Sequence, residues 1–122
     1  ANAIGRVLPE LKGKLHGSSI RVPTPNVSVI DLAVSTSREV SINEVNDAIR
    51  QTAAGAMSGV LAFTTEPLVS VDLNHRTESS IVALPQTDVV DGRMVRVLAW
   101  YDNEWSFATR MADVAVVMAK LI

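Results

Sequence analysis

The stretch MVRVLAWYDNEWSFATRMADVAVVMAKLI, residues 94–122, constrains the fold more than any other part of the chain. Residues 94–101 are rich in β-branched and aromatic side chains that suit a pleated sheet. Asp102 and Asn103 then interrupt the pattern. Asp102 is a natural N-cap, and Glu104 falls in the following first turn, where a carboxylate favours the positive end of the helix dipole. The spacing predicts a strand, a sharp polar turn and a long helix over about residues 104–120. Ser106, Arg110, Asp113 and Lys120 form a narrow polar stripe on that helix, interrupted by Val117. Trp105, Phe107, Met111, Val114, Val116 and Met118, with alanines between them, fill the remaining surface. A surface helix needs an apolar stripe of roughly 100°. This one carries more, which predicts packing against two bodies: its own sheet, and a second domain or subunit.

Upstream, residues 1–8 read as a helix with Ile4, Val7 and Leu8 on one face and Leu11 extending it. Pro9 is tolerated in the first turn of a new helix. Gly13 and Gly17 bracket a loop in which His16 reads as solvated. Residues 18–22 read as a short strand ending at Pro23. Residues 27–34, VSVIDLAV, are apolar on both faces, which predicts an interior strand covered on both sides. Asp31 is the exception there, and its carboxylate must find a donor or a cation, or else stay protonated. Ser41 and Glu44 have capping-box spacing, and Val40 with Val45 fits a hydrophobic staple. The helix they open carries Ile42, Val45, Ile49 and Ala53 inward and ends at Gly55. Short strands are predicted at residues 60–64, 68–72 and 79–84, punctuated by Pro67 and Pro85. Asp91-Gly92 is a turn signal before the last strand. Strands separated by a few helices without strict alternation predict one α+β domain: a mostly antiparallel or mixed sheet, helices on one face and a long C-terminal helix.

Composition excludes several classes. The net charge of −2 leaves no electrostatic footprint for nucleic acid or an anionic membrane surface. The chain has no cysteine, so it has no disulfide, thiolate metal ligand or cysteine nucleophile of its own, and this suits the cytosol. No apolar run reaches the ~18 residues a membrane span needs, and no signal peptide is visible. The chain opens at Ala1, in a predicted helix, and reads as a fragment.

The chemical inventory is thin. There is no GxGxxG and no Walker loop. His16 and His75 have no partner set suited to a metal. Asp72, Asn74 and His75 form a polar cluster that reads as a surface loop. Arg21 is the most suggestive side chain, because it ends a predicted strand just before a proline-stiffened turn. From there a guanidinium could be aimed at a phosphate or carboxylate, or could form an ordinary ion pair.

The strings RVPTPNVSVIDL (21–32), EPLVSVD (66–72) and AWYDNEW (99–105), in this order and spacing, resemble the glyceraldehyde-3-phosphate dehydrogenase family over essentially the whole chain. The resemblance implies the C-terminal part of a catalytic domain. It implies NAD as cofactor, held mainly by a domain outside this chain, and a phosphorylated aldehyde and inorganic phosphate as substrates. Oxidation would run through a cysteine thioester, with a histidine as acid and base; both residues fall upstream of the matched region, so no catalytic residue lies here and the chain alone should be inactive. A cytoplasmic glycolytic homo-oligomer, a tetramer, is implied as well. Two positions carry family roles: Arg21 matches an active-site phosphate ligand, and Asn103 matches the residue that hydrogen-bonds the nicotinamide carboxamide. Glu104 matches the glutamate of the same turn. Ser106 and Phe107 depart from the glycine and tyrosine of many members. With Trp105 and VDLNH at 71–75 they also resemble erythrose-4-phosphate dehydrogenase, whereas VDGRMVRV around Asp91 favours the first family. An isolated non-catalytic oligomerisation module is the alternative of another class.

Overall fold

The structure is a computed structural model and describes residues 4–122. Three α-helices, α1 (Ile4–Val7), α2 (Ile42–Ala54) and α3 (Trp105–Ala119), join five strands: β1 (Ser28–Ser35), β2 (Leu61–Thr64), β3 (Ser80–Ala83), β4 (Asp88–Val90) and β5 (Met94–Tyr101). The architecture is α+β with a mixed sheet. β5 is its spine. One edge of β5 pairs antiparallel with all of β1, from Ser28↔Tyr101 to Ser35↔Met94. Its other edge is shared: β4 takes the first half, through Val89↔Val95, and β3 the second, through Ile81↔Trp100. β2 adds to β3 in parallel. The β4–β5 hairpin closes at Asp91-Gly92, with φ of 50° and 65°, and Arg93 N–H donates to the Val90 carbonyl. Positive φ at both central residues is the mirror-type turn that matches strand twist.

α2 forms as its sequence dictates. Ser41 accepts from the Glu44 N–H, and Glu44 returns a bond to the Ser41 N–H. Gly55 ends the helix at φ −113°, so the left-handed conformation is not its reason for being glycine. A Cβ there would sit 3.1 Å from the Gln51 carbonyl oxygen. The inner face of α2 holds Val45, Ile49 and Ala53 as expected, but Ile42 lies outside it, and Asn46 is buried with its amide toward the Leu84 carbonyl. The tightest core gathers Val27, Leu73 and Ile81, backed by Ala62, Leu68 and Trp100.

Several expectations are corrected. The first three residues of the predicted opening helix lie outside the described residues, and the face of Ile4, Val7 and Leu8 is exposed. Residues 18–22 form no strand; Ile20 is 85% exposed and no neighbour offers a ladder. Residues 68–72 do not form a strand either. Asp72 accepts from the Val69 N–H and closes a 3₁₀ turn over Ser70–Leu73, which drives Leu73 into the core. β1 is an edge strand, not an interior one, and Val29, Ile30 and Leu32 reach solvent. Asp31 finds its cation across the sheet: Arg96 clasps it with two bonds of 2.8 Å. In α3 the facing is reversed. Ser106 is buried and Arg110 reaches back to the Gly59 carbonyl at 2.9 Å, so the first half of the polar stripe points inward. From Met111 onward every residue is exposed.

Candidate functional site

The turn between β5 and α3 is built on Asp102, a carboxylate only 1% exposed. One oxygen, Oδ1, accepts from the N–H groups of Trp105 (2.8 Å) and Glu104 (3.2 Å), the capping role its sequence position predicts. The other oxygen, Oδ2, accepts from the His75 N–H at 2.9 Å and the Asn26 amide at 3.0 Å. Its backbone carbonyl accepts from the Ser106 hydroxyl at 2.6 Å. Burial pushes the Asp102 carboxyl up. The N–H groups of Trp105 and His75, the Asn26 amide and the Glu104 N–H outweigh that and hold it below the usual carboxylate range.

The donors to Oδ2 come from distant segments, and both segments are specially shaped. Asn26 precedes Val27, whose φ is 67°; His75 itself has φ 61°. Left-handed backbone at a β-branched residue is uncommon and is sustained only by surrounding structure. Here the Ser70 hydroxyl binds the Asn26 carbonyl at 2.7 Å, and the Asn26 amide also donates to Asn74 Oδ1 at 2.6 Å. The His75 ring lies against Trp105, with centroids 4.5 Å apart and planes tilted by 33°.

Asn103 stands on this base, exposed. Its Oδ1 accepts from the Ser28 hydroxyl at 3.4 Å, and its Nδ2 donates to Glu104 Oε1 at 2.6 Å. A primary amide has two N–H donors and two lone pairs. One of each is thus uncommitted among the described residues. The sequence offers no glycine-rich helix start for a dinucleotide pyrophosphate.

Arg21 is exposed in the segment before Pro23 and forms no ion pair among the described residues. The ordinary ion pair that its sequence position also allowed is not formed among the described residues. His16 is exposed, as read. Asp72, Asn74 and His75 are more than a surface loop: Asp72 closes its own turn, and Asn74 and His75 reach the Asp102 network. Sequence reasoning missed Asn26, Ser28 and His75 as supports of the turn. The one available signal was the aspartate itself, set between an apolar strand and an apolar helix, with more lone pairs than one cap uses. Phe107 is 65% exposed.

Comparison with known proteins agrees with the strings that carry the resemblance. Residues 1–103 match the family model described as glyceraldehyde 3-phosphate dehydrogenase, C-terminal domain. The glyceraldehyde-3-phosphate dehydrogenase of Cereibacter sphaeroides is 59% identical over 122 residues, covering 100% of this chain and 37% of that protein. That of Xanthobacter flavus is 57% identical over 121 residues, 99% of this chain and 36% of its own length. That of Geobacillus stearothermophilus is 50% identical over 119 residues, 98% and 36%. The chain thus spans little more than a third of the curated relatives it matches. It belongs to the glyceraldehyde-3-phosphate dehydrogenase family, of which it represents the C-terminal part.

Proposed function

We propose that the chain is the C-terminal part of the catalytic domain of an NAD-dependent, phosphorylating glyceraldehyde-3-phosphate dehydrogenase, a cytoplasmic enzyme of glycolysis that works as a homotetramer. In this reading the cysteine nucleophile, the histidine and the dinucleotide-binding domain lie outside these residues, and the chain by itself does not turn over. Bound NAD supplies the hydride acceptor. Asn103 holds the nicotinamide carboxamide, offering it one N–H and one carbonyl lone pair, and so fixes which ring face meets the substrate. Arg21 holds a phosphate, on inorganic phosphate or on the aldehyde, through its planar fork.

The observation that carries the reading is the Asn103 amide, exposed, half uncommitted and mounted on a turn whose base is sealed. The family strings support it. The test is Asn103→Ala in the intact enzyme. Losing these hydrogen bonds should weaken NAD binding by about 1–3 kcal/mol. It should also let deuteride reach both faces of the ring. Unchanged NAD affinity together with unchanged stereospecificity would remove Asn103 from the cofactor site.

A further inference from the structure

We infer that Asp102 is a positioning residue for the cofactor amide: its buried carboxylate ties the Asn103 turn to two remote segments and thereby sets the direction in which Asn103 points. The inference rests on the reading of Asn103 as the nicotinamide contact.

A helix cap needs one oxygen, and Oδ1 of Asp102 fills that role with Glu104 and Trp105. Oδ2 does something a cap does not require. It binds His75, 27 residues earlier, and Asn26, 76 residues earlier. Those two segments also bracket the residues around Asn103. Ser28, two positions after Asn26, touches the Asn103 carbonyl oxygen, and the His75 ring lies against Trp105, two positions after Asn103. Both partners of Oδ2 stand beside left-handed backbone at non-glycine residues, Val27 and His75, a shape held only where several contacts agree. The carboxylate is therefore the common point of three segments. An exposed amide one residue away can keep a single orientation only while that point holds. Charge matters as well as shape, because four N–H donors converge on Asp102 and a neutral amide there cannot accept them all.

Asp102→Asn separates the two roles. Its carbonyl can still serve the cap, while its NH₂ must face the donors of Asn26 and His75. Two variants are compared in the intact enzyme: Asp102→Asn and Asn103→Ala. The readouts are NAD dissociation constant, ring-face stereospecificity of deuteride transfer, thermal midpoint, and hydrogen exchange at the His75 and Trp105 amides without cofactor. Asp102→Asn should raise the NAD dissociation constant about tenfold, equivalent to ~1.4 kcal/mol. It should also lower stereospecificity, and should speed exchange at His75 much more than at Trp105. If Asp102→Asn lowers the thermal midpoint but leaves affinity and stereospecificity unchanged, the inference is overturned and Asp102 is structural. Should Asn103→Ala alone change nothing, it is the underlying reading that fails. If Asp102→Asn does not fold, Asn26→Ala decides, since it removes one tie and keeps the charge. Loss of stereospecificity there supports the inference, and wild-type affinity and stereospecificity overturn it.

Discussion

Asp31 and Asp102 are both aspartates next to apolar strand residues, yet water reaches one and not the other. Asp31 faces solvent on an edge strand, and the Arg96 fork holds its carboxyl below the usual carboxylate range. Pairs this exposed contribute little to stability. Asp102 is sealed, and its lowered titration comes from N–H donors rather than from a cation. Arg21 has no anion among the described residues, so its test is clean. In the intact enzyme Arg21→Lys should leave the thermal midpoint nearly unchanged. The KM for phosphate or for the phosphorylated aldehyde should rise about tenfold, because an ammonium cannot offer two parallel donors. Loss of stability with unchanged kinetics would make Arg21 structural. At this scale the sequence revealed what a residue type and its nearest neighbours decide. Asp102 as a cap was legible because its donors follow within three positions. Its second oxygen was not, because the partners stand 27 and 76 residues away.

α2 and the 3₁₀ turn at Ser70–Leu73 differ in how much of their cause is local. α2 has its cap, its return bond from Glu44 and its close Gly55 stop within one continuous stretch, so reading the stretch was enough. Ser41→Ala should cost about 1 kcal/mol, read as a lower denaturant midpoint with an unchanged denaturant slope. An unaltered midpoint would show that helix α2 is held by its packing alone. The 3₁₀ turn looked like a strand because its residues alternate, but the Asp72 side chain captured the Val69 N–H and closed the backbone locally. Residues 18–22 failed as a strand for the opposite reason: their pattern suits a sheet, but a ladder also needs a neighbour. In α3 periodicity located the helix correctly and mistook its facing. Ser106 and Arg110 found carbonyls to bind, at Asp102 and Gly59, which faces them inward and leaves the apolar side outward.

The whole molecule has a small core for its apolar content. Val27, Leu73 and Ile81 are sealed, whereas one face or another of β1 and the second half of α3 is open to water. Met111, Val114, Val116, Val117 and Met118 make a continuous exposed stretch, and apolar patches of that extent usually mark a surface that is covered in use. The isolated chain should therefore self-associate or lose solubility as its concentration rises. Sedimentation showing a clean monomer at high concentration would count against that expectation. Fold class was readable at this scale, because strands and helices follow from pattern. The edge position of β1 was not, because an apolar strand reads the same whether its own chain covers it or another body does.

The tie at Asp102 also bears on the order of assembly. Two of its bonds join residues 27 and 76 positions apart, and the second closes alongside a β1–β5 ladder whose partners are equally remote in sequence. Contacts of such long separation form slowly, because the entropy of closing the loop must be met before any of them helps. α2 depends on no such closure. A refolding chain therefore acquires α2 early, and only late acquires the single fixed orientation of Asn103. Helical content and the fixed geometry of the β5–α3 turn are separate milestones in the folding of this chain.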